Sequence, residues 1–413
     1  MLQLDLQRPL AASAGRRQLQ SSSRNEHHGM PSRSQQHIQK RSKPCRLHSM
    51  PARAQAQAQA EASLAPVEQK PSRTKKNITW DTLGFGLEHV APTMYVAEWS
   101  PEQGWKGEMR AYGPLQLDPS AQVLNYGQSV FEGMKAQRSA QDRIVLFRPH
   151  QNAARMAEGA GRLSMPAPPT DLFVGAVKQL VRENQDYVPP QGKGSLYIRP
   201  LLMGSGGILG LGPAPSYTFA VFCAAVGAYF KGGQMTPIDL VVEEHFHRAA
   251  PGGMGGTKAA GNYSPVLTTQ LAAKQNGYAD VVYLDAKTDT YLEEVSSCNI
   301  FTVKGKHIKT PPLQGTILPG ITRRSILELA ESRGYTVGEA PITLEEALQA
   351  DEVFTSGTAV VVSPVGSLTH KGQKTQFGKP GIPGPVATEL YGALTDVQQE
   401  KVKDSYGWVY PVT

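Results

Sequence analysis

The sequence predicts a two-domain protein of mixed α/β (α+β) class, and three observations predict it. Its 413 residues, 40% of them hydrophobic, suffice for about two cores at ~150 residues per domain. Hairpin-like β runs are interspersed with helical periodicity, which argues against a doubly wound parallel sheet. A Gly-rich stretch, Gly227-Ala-Tyr-Phe-Lys-Gly-Gly233, separates two globular segments and reads as a linker. The expected division is a basic arm over 1–76, a smaller α/β domain over 77–228, a linker over 229–235 and a larger domain over 236–413.

The arm carries 14 Lys+Arg against 4 Asp+Glu, leaving 28 and 31 for the rest, so the globular part is slightly acidic despite an overall charge of +7. It is rich in Ser, Gln, Ala and Arg, poor in aromatics, and contains an alternating Ala-Gln run from Ala54. Such a segment buries too little apolar surface to offset its ordering entropy. Its Arg- and Ser-rich, acid-poor composition is that of an organellar transit peptide; a basic tail for nucleic acid is the alternative reading. Cys45, Cys223 and Cys298 are too few and too scattered for a disulfide framework or zinc knuckle. The longest nearly apolar stretch, Tyr217 to Phe230, falls short of the ~20 residues of a membrane span.

Globular sequence starts at Ile78-Thr-Trp80. Ile144–Phe147 reads as a strand, and Thr170 is positioned to cap a helix with Phe173, Ala176, Val177 and Leu180 on one face. Leu196–Leu202 and Tyr217–Val226 read as buried strands, and Ile238–Val242 as the first strand after the linker. Tyr278 to Glu294 forms a hairpin around Ala286-Lys-Thr-Asp289. One helix follows Thr322, and another starts at Thr343, with Glu346 completing a capping box. Val353 and Val360–Val362 belong to strands.

Several standard signatures fail. Gly252-Gly-Met-Gly-Gly-Thr-Lys258 breaks the phosphate-loop pattern at two places, and Gly204-Ser-Gly206 lacks the third glycine of a dinucleotide site. His245 and His247 would share the face of an exposed strand edge, with no third metal ligand close in sequence.

The remaining pieces suit one anionic aromatic aldehyde. Lys258 lies in a loop of small residues, Gly255 to Tyr263, where a ligand can approach closely and burial would lower the amine's pKa. A solvated charge is the ordinary alternative. Glu293 and Glu294 end a strand and must point to opposite faces, so one can face solvent while the other enters the core, where a protonated ring nitrogen would partner it; two exposed acids on an edge strand are the ordinary reading of the pair in isolation. Leu318-Pro-Gly-Ile-Thr322 leads into a helix whose free N–H groups attract phosphate, and Ser356-Gly-Thr-Ala359 is a second tight turn. Arg148, before Pro149, would add a bidentate cation.

These segments, with Asn125 to Gly133, Tyr197-Ile-Arg-Pro200 and Arg248-Ala-Ala-Pro251, resemble the fold-type IV pyridoxal-phosphate aminotransferases, in particular the branched-chain amino acid aminotransferases of plant plastids. The likeness runs from about Trp80 to near Trp408. It implies a smaller N-terminal α/β domain and a larger cofactor domain with a mixed, barrel-like sheet. It also implies pyridoxal 5'-phosphate as cofactor and reversible transamination between Leu, Ile or Val and 2-oxoglutarate. On that resemblance Lys258 is the lysine that forms the Schiff base and shuttles the proton, and Glu294, not Glu293, faces the pyridine nitrogen. Arg148, Ile321, Thr322, Gly357 and Thr358 hold the phosphate, and Tyr263 stands beside the cofactor oxygen. Thr358 and Ala359 take the substrate α-carboxylate, and Phe131, Gly133, Tyr126, Tyr197 and Leu211 wall the side-chain pocket. Arg199, with Tyr126, meets the distal carboxylate of glutamate.

The resemblance further implies a homodimer acting on small molecules, with neither nucleic acid nor membrane as partner. It tips the arm's address to the chloroplast over the mitochondrion. Val360 and Ser363 stand where mammalian relatives carry Cys-x-x-Cys, which excludes a thiol pair there. The competing readings are a D-amino-acid transaminase or aminodeoxychorismate lyase of the same fold and, from another class, a basic-arm binding protein.

Overall fold

A computed structural model describes residues 78–230 and 234–412. The arm over 1–76 and the Lys231–Gly233 part of the expected linker lie outside the described residues. Among the described residues no helix is long and apolar enough to cross a membrane.

The first sheet is antiparallel throughout. It is built from β1 (Thr93–Ser100), β2 (Gly104–Ala111), β3 (Ser129–Phe131), β4 (Met134–Arg138), β5 (Ile144–Phe147), β6 (Gly194–Gly204) and β7 (Tyr217–Gly227). Helices α1 (Gln122–Tyr126), α2 (Pro149–Arg162) and α3 (Thr170–Glu183) fall between these strands. Phe173, Val177 and Leu180 of α3 are fully buried, in one core with Leu196, Ile198 and Phe219 of the two long central strands. Each such side chain contributes roughly 1.5–3 kcal/mol of transfer free energy. Thr170 is not the cap of α3: it is the first helical residue and its side chain makes no capping bond. Pro169, held extended, sets the entry instead, and its carbonyl accepts from Phe173 N–H.

The second sheet contains β8 (Ile238–Val242), β9 (Asp280–Leu284), β10 (Leu292–Val295), β11 (Asn299–Lys304), β12 (His307–Thr310), β13 (Thr336–Glu339), β14 (Glu352–Gly357), β15 (Val361–His370) and β16 (Gln373–Gln376). Its helices are α4 (Val266–Gln275), α5 (Ile321–Ser332), α6 (Leu344–Leu348) and α7 (Pro385–Gln398). Six strands close on themselves in the order β10, β9, β8, β15, β14, β11, the last pairing back to β10 through Glu294 and Asn299. The sheet is mixed, because β8 is parallel to both β9 and β15. This is the mixed α/β architecture with a barrel-like sheet expected from the sequence. Helices α5 and α7 cover one side, packing Ile326, Leu390 and Leu394 with the stacked rings of Phe301 and Phe354. A final strand, β17 (Val409–Pro411), returns to pair with β5, so the C-terminus completes the first sheet.

Local signals explain most elements, and two expectations change. Thr343 caps α6 by accepting from Glu346 N–H, but the Glu346 carboxylate pairs with Lys309, so the reciprocal half of the capping box is not made. His245 and His247 are not on a strand. Strand β8 stops at Val242 because the Glu243 carboxylate accepts from the N–H groups of His245 and Phe246, a local turn that outcompetes ladder pairing. His247 pairs with Asp289 instead, and no cluster able to hold a metal exists among the described residues.

One buried carboxylate fixes where α7 begins. Glu352 accepts from Val386 N–H at 3.0 Å and Ala387 N–H at 3.1 Å, filling two of the donors that a helix start leaves free. Gly384 is required beside it, since a Cβ there would lie 2.0 Å from Glu352 Oε2. Glu352→Ala should therefore lower the unfolding free energy by about 2–3 kcal/mol in denaturant titration. A loss below ~0.5 kcal/mol would show that the cap does not hold the helix.

Candidate active site

The loop bearing Lys258 is pinned from three sides. Gly256 N–H donates to Gly315 O at 2.7 Å, and the Asn262 amide donates to Met254 O and Thr257 O. Lys258 O accepts from Phe131 N–H, beside a bridge between Val130 and Ala259. Gly255 permits the close approach, because a Cβ there would meet Thr316 O at 2.1 Å. Lys258 Nζ lies 3.0 Å from Tyr263 Oη and 4.6 Å from the centre of the Phe131 ring.

Glu294 sits where the barrel closes. Its Oε1 accepts from the Asn299 amide at 2.6 Å and from Leu318 N–H at 3.2 Å. Arg248 Nη1 lies 2.6 Å from Oε2, both side chains being 3% exposed or less. That ion contact is not aligned as a hydrogen bond, so Oε2 retains an open acceptor position. Burial pushes the Glu294 carboxyl up to about 7, against the lowering effect of Arg248 and the Leu318 N–H. The expectation that one of the paired acids faces solvent is overturned: Glu293 is buried too, and burial also raises its pKa. A hydrogen bond from Thr316 opposes that rise, which places the loop ahead of α5 against the face that would otherwise be wet.

Six of the predicted residues line one cleft: Lys258, Glu294, Ile321, Thr322, Gly357 and Thr358. Ile321 and Thr322 open α5, so their N–H groups have no partner within the helix. Gly320 lets this end reach Asn299, whose Oδ1 would be 2.1 Å from a Cβ. The donor set fits pyridoxal phosphate: an amine for the aldehyde, helix N–H groups for the phosphate, and an open buried carboxylate oxygen for a ring N–H.

Arg148 is placed differently. Its guanidinium bonds to Ser325 Oγ at 2.9 Å and to both oxygens of Glu328, and lies over Trp408. It thus reaches the first turns of α5 and is not among the cleft's lining groups. Its backbone is left-handed (φ 49°) directly before Pro149, a conformation disfavoured for that position and costing about 1–3 kcal/mol.

The side-chain pocket residues divide into two sets. Phe131, Gly133, Tyr197 and Arg199 cluster beside Lys258. The Arg199 guanidinium lies 4.9 Å from the Phe131 ring centre and donates to Tyr197 Oη at 3.2 Å, and Gly133 leaves room for that hydroxyl. Tyr126 and Leu211 are 48% and 84% exposed, with Tyr126 Oη donating to Leu209 O. Ala359 follows Thr358 in the turn between β14 and β15, where Val361 carries a φ of 61°. A branched side chain there costs about 1–2 kcal/mol, offset by burial in the core under α5 and α7.

Sequence reasoning missed Arg155, Arg248 and Asn299 as members of the cleft. Asn299 had a local signal, lying across a tight turn from Glu294. Arg155 had none: it is fixed by a two-pronged pair with the fully buried Glu132 and donates to Pro319 O just ahead of α5.

The family described as amino-transferase class IV matches residues 129–368. A chloroplastic branched-chain amino acid aminotransferase 2 of Humulus lupulus is 54% identical over 335 residues, 80% of this chain and 81% of that protein. The chloroplastic branched-chain-amino-acid aminotransferase 3 of Arabidopsis thaliana is 53% identical over 334 residues, 80% of each. The crystal structure of the T.th. branched-chain amino acid aminotransferase with pyridoxamine 5'-phosphate is 27% identical, with a TM-score of 0.68, covering 78% of this chain and 99% of that one.

The raised pKa of Glu294 has a measurable consequence. Its carboxyl binds a proton more tightly in the folded chain than in the unfolded one, so stability falls as pH rises from about 4.5 through about 7. Ligand-free Glu294→Gln should lose most of that fall, keeping only the part due to Glu293, and unfolding titrations at both ends of the window should separate it from the wild type by a few kcal/mol. Parallel pH profiles for the two proteins would refute the assignment.

Proposed function

The chain belongs to the class IV aminotransferases, and on that premise we propose that it moves amino groups reversibly between the branched-chain L-amino acids and 2-oxoglutarate. Pyridoxal phosphate, when bound, supplies an aldehyde that exchanges amino groups and a ring that accepts the electrons left at the substrate α-carbon. The observation that carries the reading is the single cleft shared by Lys258, Glu294 and the first residues of α5.

Lys258 Nζ would be the amine that holds the aldehyde carbon and, when free, would move the proton between the substrate α-carbon and the cofactor carbon that bore the aldehyde. Tyr263, whose hydroxyl accepts from that nitrogen at 3.0 Å, would stand beside the neighbouring cofactor oxygen. Glu294 would accept the ring N–H at Oε2, and Arg248 opposes the burial that favours the protonated acid. The N–H groups of Ile321 and Thr322, with Thr358 beside them and Gly357 giving close access, would hold the phosphate. Arg148 steadies α5 through Ser325 and Glu328 and supplies positive charge behind that end of the cleft. The turn at Thr358 and Ala359 takes the α-carboxylate, and Phe131, Gly133 and Tyr197 form the apolar wall.

Tyr126 and Leu211, exposed in one chain, are the pocket residues that a homodimer would bring against a second copy. The plastid stroma is the proposed place of work, supported by the composition of 1–76 and the chloroplastic relatives. The apolar wall and Arg199 favour branched-chain substrates with glutamate over D-alanine or aminodeoxychorismate.

Borohydride reduction tests the reading directly. The purified protein should absorb as a cofactor imine, and reduction should fix the cofactor to the peptide containing Lys258. Lys258→Ala should lose both the band and the transfer from L-leucine to 2-oxoglutarate. Label on another lysine, or none, would sink the proposal.

The second test concerns dual specificity. Arg199 presents the cation beside Phe131 and Tyr197, and its Nε has no partner of its own. A buried distal carboxylate left without that cation is penalised, whereas an apolar side chain is not. Arg199→Met should therefore cut kcat/KM for 2-oxoglutarate by about 10–100-fold and leave that for L-leucine within about threefold. Equal losses for both would remove Arg199 from this role.

A further inference from the structure

The turn that joins β14 to β15 is strained, and its restraint comes from the other sheet. Gly357 pairs with Val361, leaving residues 358–360 as a three-residue hairpin loop. The strain sits where the loop rejoins β15: Val361, a branched residue, carries a left-handed φ of 61° that glycine adopts freely. Two bonds reach this loop from β4 and the residue before it. Thr358 Oγ1 donates to Gly133 O at 3.3 Å, and Lys135 Nζ donates to Ala359 O at 2.7 Å. Lys135 is paired in register with Tyr197, so the two side chains stand on the same face of the first sheet. Burial pulls the Lys135 pKa down to about 8, so the amine keeps its proton at neutral pH.

A partly buried ammonium is a costly way to make one hydrogen bond, and a neutral donor would serve a merely structural bond to a carbonyl. A charge-assisted bond is about twice as strong as a neutral one, which suits a loop whose backbone would otherwise relax. We propose that Lys135 is a positioning residue that holds the Thr358–Val360 loop in its strained form, with the N–H groups that receive the substrate α-carboxylate turned into the cleft. The inference rests on the aminotransferase reading for the identity of that carboxylate. It adds to that reading a residue that is not among the groups lining the cleft of Lys258 and Glu294.

The test uses the holoenzyme and 4-methylvaleric acid, a leucine analogue that has the carboxylate but no amino group to react. Lys135→Met should weaken its binding, measured by calorimetry, about tenfold. KM for L-leucine should rise by the same factor with kcat within about threefold, and Lys135→Arg should restore most of the loss. Glycine adopts the left-handed conformation freely, so Lys135→Met combined with Val361→Gly should recover most of the affinity. Unchanged binding in Lys135→Met overturns the proposal, as does a loss confined to kcat or a loss of equal size in the Val361→Gly background. If Lys135→Met does not fold, Lys135→Gln is read by the same criteria. Wild-type protein that neither transaminates leucine nor binds the acid would instead refute the functional reading, and the proposal would fall with it.

Discussion

The closure of the six-strand barrel at Glu294 and Asn299 is the constraint from which the rest of the site follows. A strand pair at that point leaves a carboxylate no route to water, and burying it without partners would cost several kcal/mol. The structure supplies the Asn299 amide and Leu318 N–H to one oxygen and the Arg248 guanidinium to the other. Each partner comes from a different segment, so satisfying one charge draws the Arg248 loop, the β10–β11 turn and the approach to α5 together. The same recruitment forms the walls of the cleft.

A second buried pair does comparable work on the other side. Glu132 follows β3, is fully buried, and accepts both prongs of Arg155 as well as the Asn152 amide. Arg155 then donates to Pro319 O, one residue before the Gly320 that opens α5. The helix start is thus held by an arginine anchored in the first sheet, while its interior packs on the second. A loop fixed only by its own hydrogen bonds would leave the N–H groups of Ile321 and Thr322 free to wander relative to Lys258. Preorganised donors are worth most where they need not move when charge arrives.

What was legible in the sequence was local. The α3 periodicity, the Asp280–Val295 hairpin and the Thr343 cap each depend on residues a few positions apart, and each formed close to where the pattern put it. Lys258 and Glu294 were readable as candidates because small residues and paired acids are unusual beside strands, but their juxtaposition required knowledge of barrel closure. Both acids of β10 proved buried because a closed barrel with a covering loop has no wet face at that point. The pairing of Arg148 with Glu328, 180 residues away, left no trace in either neighbourhood. His245 and His247 were misread because a strand pattern ignores a carboxylate two residues back that can cap the chain itself.

The strained positions bear on how such a cleft keeps both precision and turnover. Arg148 and Val361 hold left-handed backbones that cost free energy, and each sits where a segment turns toward the site. Neither is a glycine, although glycine would remove the strain. A glycine at 148 would forfeit the guanidinium that ties α2 to α5, and one at 361 would forfeit an apolar side chain in the core under α7. In both cases the side chain's long-range contacts outweigh the local backbone preference, so the backbone bends to the packing. The consequence is that these two turns are held by tertiary contacts and not by their own sequence. Loosening those contacts would therefore be felt at the cleft as well as in stability, since the side chains that restrain the two turns are also the ones that pack in the core or tie α2 to α5.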